Sequence, residues 1–195
     1  PTPYQPFRQY FLSFNPNASF IPSGTWTLRI TSIPTGKIVD RRLQFWLPSK
    51  DATNSATGFT SPSSDMTFTI PSTASSVISV SGYNSSLDVF APFSGQGFSN
   101  TMHTKPDLCA PAVNILSTAP GGGYTIQTGT SMASPFVAGA AALLMQYGIV
   151  QGNDPFLYGE KLKAYLWKSA RALPAFSEYP NEKVGWGALC VKNTF

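Results

Sequence analysis

A chain of 195 residues with 11% charged and 13% aromatic side chains, 16 glycines and 17 prolines can bury a core, and its turn-rich, apolar make-up excludes a disordered tail. The formal charge is +4, yet Arg41-Arg42 is the only adjacent basic pair, which argues against a nucleic-acid surface built on a clustered basic stripe. Two cysteines, Cys109 and Cys190, permit at most one disulfide and no cysteine-based metal cluster; free buried thiols are expected, and pairing is left open.

Residues 1 to about 70 read as short strands broken by turns. "FLSFNPNASF", "GTWTLRI", "RRLQFWLPS" and "MTFTIPS" alternate with period two, with Trp26, Leu28 and Ile30 on one face and Thr25, Thr27 and Arg29 on the other. Asn15-Pro16, Pro22-Ser23-Gly24, Pro34-Thr35-Gly36 and the polar stretch 50–64 supply the breaks. The expectation is a jelly-roll-like antiparallel β segment over 1–70 that carries no chemistry. From about Pro71 the pattern changes. "SSVISVSGY" and "NILSTA" are compact strands, and helices are expected from Ser131 to Tyr147 and from Gly159 to Leu173. The second helix places Leu162, Tyr165, Leu166 and Ala170 on one stripe, with Lys161, Lys163, Lys168 and Arg171 elsewhere. Strands followed by helices argue an α/β fold for 71–195. The longest apolar run, Phe136 to Met145, is too short and too rich in glycine and alanine to span a membrane. The chain opens on Pro1-Thr2-Pro3 without a methionine, so preceding residues are expected and the compartment is not legible.

The stretch that carries chemistry is "QTGTSMASP", residues 127–135, which runs straight into "FVAGAAALLMQYGIV". One reading is helix capping by a hydroxyl, with Pro135 tolerated in the first turn. The other is a serine nucleophile: Gly129 and Thr130 set Ser131 on a tight turn, where its Oγ can project and its N–H can face a developing oxyanion. The small residues Ala133, Ala138, Gly139, Ala140, Ala141 and Ala142 would let the helix pack deep and aim its positive end at Ser131. No histidine follows Ser131, so the order of an α/β-hydrolase is excluded, and a helix after the serine does not suit a chymotrypsin-like barrel. The order Asp, His, Ser remains.

These residues resemble the subtilisin-like serine peptidases, the subtilase or S8 family. "GTSMASP…VAGAAALL" is similar to the family's serine motif, "TKPDLCAPAVNILS" to the segment ahead of it, "SSVISVSGYN" to a core strand and "VGWGALCV" to a closing segment. "APFSGQGFS", "GNDPFLYGEKLKAYL" and "EYPNEKVGWGALCV" most resemble clostridial members related to the Csp proteases of spore germination, in which a jelly-roll segment is inserted ahead of the serine. The resemblance implies the C-terminal part of a subtilisin-like fold over 71–195. It implies a serine endopeptidase acting through an acyl-enzyme on Ser131, with protein or peptide substrates and an extracellular or spore-associated setting. Thr130, Ser131 and Met132 would line the oxyanion and leaving-group side. The family's D-[ST]-G and H-G-T-H-V-A-G motifs and its oxyanion asparagine are not in this sequence. The triad Asp and His are therefore expected from an N-terminal part of the same catalytic domain. The chain alone is expected to be inactive, and to associate with that part or with itself. The alternative is a pseudoprotease that binds or signals.

Two departures stand in the motifs: Phe136 follows "SP" where many members carry histidine, and Ala112 replaces the glycine of A-P-G. His103, the only histidine, lies in the polar context "NTMHTKPD" and is read as a surface loop residue. Asp107 is read as a structural turn residue that bonds backbone N–H groups. The dispersed acids form no D-x-D-x-D-G loop, so no metal site is named and no cofactor is expected, though the family leaves room for calcium. Gly121-Gly122-Gly123 lacks the G-K-[ST] of a phosphate loop.

Overall fold

The computed structural model describes residues 12–13, 22–30, 45–48, 53, 56–99 and 104–194. The chain divides into two compact units, Pro1–Gln44 and Phe45–Phe195. In the first unit, residues 22–30 form no strand, and Trp26, Leu28 and Ile30 are 59%, 53% and 53% exposed, as are the residues between them. Alternation alone does not make a strand; a ladder partner does. The other segments expected as strands within the first 44 residues lie outside the described residues.

In the second unit "MTFTIPS" is also not a strand: Met66 takes a left-handed φ of 53° and the chain turns again at 70–73. Thr67 ties this stretch to Gln96, its N–H donating to the Gln96 carbonyl at 2.8 Å and its Oγ1 accepting the Gln96 N–H at 2.8 Å. The Trp46 indole donates to the Met66 carbonyl at 2.9 Å.

The central sheet has three strands in the order β2-β1-β5. β1 (Val80–Asn84) pairs antiparallel with β2 (Val89–Phe90), Tyr83 opposite Phe90. It pairs parallel with β5 (Leu108–Pro111), Val80 opposite Leu108 and Gly82 opposite Ala110. Between them β3 (Phe98–Ser99) and β4 (Thr104–Lys105) form a small antiparallel pair. The far edge of β5 is closed by the segment "VGWGAL". Cys109 N–H donates to the Gly187 carbonyl at 2.9 Å, and Leu189 N–H to the Cys109 carbonyl at 2.8 Å. Gly185 makes this approach possible: its φ is +57°, and a Cβ there would lie 2.4 Å from the Pro106 and Asp107 carbonyls.

β6 (Ile115–Thr118) and β7 (Tyr124–Gln127) form a hairpin that leads into α1 (Thr130–Met145), which continues as a π turn over Gln146–Val150. α1 lays Ala133, Val137, Ala140 and Leu144 onto β1 and β5, where Leu108, Ala110 and Ala112 are fully buried; small residues on both sides bring helix and sheet close. Thr130–Val150 is by length and composition apolar enough to cross a membrane, a longer run than Phe136–Met145 suggested, yet its buried stripe packs on the sheet as a core helix does. α2 (Gly159–Ser169) packs on α1 through Leu162 and Leu166.

α2 ends at Ser169, short of Leu173, because Ala170 turns extended (ψ 141°) and Arg171 pairs with Ala188 through both backbone bonds. Its stripe also differs: Tyr165 is exposed and Lys163 is buried. Lys163 is drawn inward by Asp107. Lys105 Nζ donates to Asp107 Oδ2 at 2.7 Å and to the Val77 carbonyl at 2.7 Å. Lys163 Nζ donates to the Ser75 carbonyl at 2.6 Å and stands 3.1 Å from Asp107 Oδ1 as an ion pair. Ser79 N–H donates to Asp107 Oδ2 at 2.7 Å. The three side chains are 2%, 1% and 5% exposed, a buried cluster of two cations on one anion. Cys109 and Cys190 are not joined by a disulfide.

Candidate active site

The site is the junction of β7 with α1. Gly129, the residue before the helix, has φ 155° and ψ 162°, a region reserved for glycine, although a Cβ there would meet only Met132 Sδ at 3.6 Å among side chains. Conformation, not crowding, requires this glycine. Its N–H donates to the Ala112 carbonyl at 2.8 Å, and its carbonyl accepts the Met132 N–H at 3.0 Å, which closes the turn around Thr130 and Ser131. Ala112, in place of the family's glycine, fits because it faces Gly82: a Cβ at 82 would lie 2.6 Å from the Ala112 methyl and 3.5 Å from Thr130 Cγ2. Gly82 and Ala112 are thus a matched pair under the site.

No hydroxyl caps the helix. Thr128 Oγ1 accepts the Asn114 N–H instead, and Ser131 Oγ has no hydrogen-bond partner among the described residues. Between the two readings of "GTSMASP", capping is the one the geometry removes. Ser131 is exposed, Thr130 and Met132 are half-buried and Ala133 is buried, so the turn holds the serine outward while its neighbours are anchored. The Ser131 N–H lies in the first turn, where no intrahelical carbonyl can accept it, and the helix contributes about half a positive charge there. No acidic side chain in that turn cancels it.

The remaining sequence candidates fall elsewhere. His103 lies outside the described residues. Asp107 does bond a backbone N–H, but that of Ser79, 28 residues away and not in its own turn, and its chief partners are Lys105 and Lys163. Lys105, inside "TKPD", carries no sequence signal of its burial. Burial pulls its ammonium below the ordinary lysine range, with Asp107 opposing the shift. Phe136 is 41% exposed on the outer face of α1. Among the described residues no cluster of His, Cys, Asp or Glu could hold a metal ion.

Residues 52–187 match the subtilase family, peptidase S8. The chain belongs to this family. It is 46% identical to the PII-type proteinase of Lactococcus lactis subsp. cremoris over 77 residues, which is 39% of this chain and 4% of that protein. It is 45% identical to subtilisin amylosacchariticus of Bacillus subtilis subsp. amylosacchariticus over 85 residues, 44% of this chain and 20% of that one. Among solved structures it resembles the CspB protease of Clostridium perfringens, with TM-score 0.67 and 45% identity over 69% of this chain and 29% of that chain. The fold is accordingly α/β and subtilisin-like. The chain spans only a small part of the length of each of these relatives.

Proposed function

We propose that this chain carries the nucleophile of a serine endopeptidase, and that Ser131 attacks the carbonyl of a protein or peptide substrate to form an acyl-enzyme. The observation that carries the reading is the helix start itself: an exposed hydroxyl that caps nothing, at the positive end of α1, on a turn only glycine can make. Ser131 N–H is one oxyanion donor, Thr130 shapes the turn beside it, and Met132 lines the leaving-group side. As the bond forms between Ser131 Oγ and the carbonyl carbon, the hydroxyl proton must pass to a base and then to the leaving amine. We assign the base, its aspartate and the second oxyanion donor to a separate segment, because His103, the one histidine of the sequence, stands in the polar context "NTMHTKPD" and not in the family's histidine motif.

The same segment accounts for α1. Phe136, Leu143 and Tyr147, at i, i+7 and i+11, are 41%, 51% and 39% exposed on one side of the helix, an apolar face that favours burial against another protein surface. The segment that brings the base covers this face, and the isolated chain self-associates through it. Sedimentation of the chain at rising concentration tests the second statement; a monomer throughout the micromolar range refutes it. Replacing Ser131 by Ala in the assembled protease tests the first. Loss of kcat on the order of a million-fold is expected, subtilisin's own magnitude for this nucleophile. Retained hydrolysis overturns the assignment.

A further inference from the structure

The hairpin that delivers Ser131 does not end in an ordinary rung. Its register, Ile115 opposite Gln127 and Thr118 opposite Tyr124, would next bond residue 113 to residue 129. Gly129 N–H passes that position and donates to the Ala112 carbonyl at 2.8 Å. One extra residue therefore sits on the β6 side, and Asn114 absorbs it with a left-handed φ of 55°. The bulge turns the Asn114 N–H toward the opposite strand, where Thr128 Oγ1 accepts it at 2.9 Å and lies 3.4 Å from Asn114 Oδ1. A side-chain hydroxyl thus stands where a backbone rung is missing, three residues before Ser131. Beyond it the turn is tied by backbone bonds from Gly129 to Ala112 and from Met132 to Gly129.

We infer that Thr128, through its hydrogen bond with Asn114, is a positioning residue for Ser131: it sets the angle at which β7 enters the Gly129 turn, and so where the nucleophile points. The inference rests on Ser131 being the nucleophile, as proposed above. Bulges beside active sites re-aim side chains in this way. The helix side of the turn is held by Thr130 and Ala133 against the core, whereas Asn114 and Thr128 are both solvent-facing, so on the strand side their hydrogen bond is what fixes the direction of β7. Thr128 touches neither substrate nor the reacting atoms. Its effect must appear in turnover and not in substrate binding.

The test uses Thr128→Val, which keeps the branched shape and removes the acceptor, and Thr128→Ser, which keeps the acceptor and removes the methyl. Both are made in the protease assembled with its base-supplying segment, and Ser131 is labelled with a fluorophosphonate. In Thr128→Val the labelling rate and kcat should fall about tenfold, a fraction of what an ångström of misplacement costs. KM and Tm should hold, and Thr128→Ser should restore the rate. Hydrogen exchange at the Asn114 amide should quicken in Thr128→Val alone. Parental labelling in Thr128→Val overturns the inference. So does a slowing matched by losses in Tm and KM, which would make the bond merely structural. If the unsubstituted protease itself fails to label at Ser131, the nucleophile assignment falls and this inference with it, an outcome distinct from a failure of the Thr128 variants alone.

Discussion

Replacing Asp107 by Asn removes one charge from the most buried polar cluster of the chain. The amide keeps the shape and still offers an oxygen to the Ser79 N–H, 2.7 Å away in the parent. Lys105 and Lys163, whose Nζ atoms stand 2.7 Å and 3.1 Å from the carboxylate, are left as two enclosed cations without their anion. Removing one partner of a buried ion pair costs about 3–5 kcal/mol. The fold has an escape that sets a ceiling: Lys105 can drop its proton. From an ordinary lysine pKa this costs about 4.6 kcal/mol at pH 7 and only about 1.2 kcal/mol at pH 9.5. The sign follows from the parent, where burial already lowers Lys105 and Asp107 opposes that shift. A base lowered in the folded state binds fewer protons there than in the unfolded chain. Stability then rises with pH between the folded and the ordinary value. Asp107→Asn widens that window downward. Urea unfolding of both chains at the two pH values should show a deficit of about 3–5 kcal/mol at pH 7 that shrinks toward about 1 kcal/mol at pH 9.5. The buried Cys109 thiol also titrates with folding, but it is common to both chains and cancels. A deficit below about 1 kcal/mol at pH 7, or one that does not change with pH, refutes the reasoning.

Gly129→Ala should lower stability by about 1–3 kcal/mol through backbone strain alone, since a methyl has room there; it should also depress turnover of the assembled protease, and unchanged kcat would count against a strained nucleophile turn. Gly185→Ala combines a left-handed φ with a Cβ 2.4 Å from two carbonyls, so it should detach the closing segment from β5; faster amide exchange at Cys109 and Leu189 is the readout. Burial pushes the Cys109 thiol up to about 12, so it stays protonated at pH 8.5. Iodoacetamide should therefore spare it in the native chain and modify it in urea, as mass spectrometry can record.

The α/β half was legible because its signals are local and redundant. β6 and α1 fall close to where the strand and helix patterns place them, while β1 begins only at Val80 and α2 stops at Ser169. Near the N-terminus, residues 22–30 show the limit of the same method. Period two is necessary for a half-buried strand but not sufficient: residues 22–30 form no strand, and Trp26, Leu28 and Ile30 stay exposed. Lys163 failed for the opposite reason. On a helical wheel a lysine belongs to the solvent face, and only the approach of Asp107 from 56 positions earlier in the chain draws it inward. No helical periodicity reports a partner that distant.

The site divides along the same line. Ser131, the proposed nucleophile, could be named from the sequence because the small-residue motif around it is contiguous. What the sequence left undecided was whether the hydroxyls cap the helix, since Thr128, Thr130, Ser131 and Ser134 all have the right chemistry. The decision is made by a strand on the other side of the hairpin. Asn114 takes the hydroxyl of Thr128, Gly129 reaches past its rung to Ala112, and Gly82 yields the space that the Ala112 methyl fills. Ser131 is left uncapped because its neighbours are committed elsewhere. The geometry of this helix start is therefore shared among three segments, 82, 112–114 and 128–131, which lie apart in the sequence and meet at the turn. A substitution at any of the three should disturb the serine, even where the motif itself is intact.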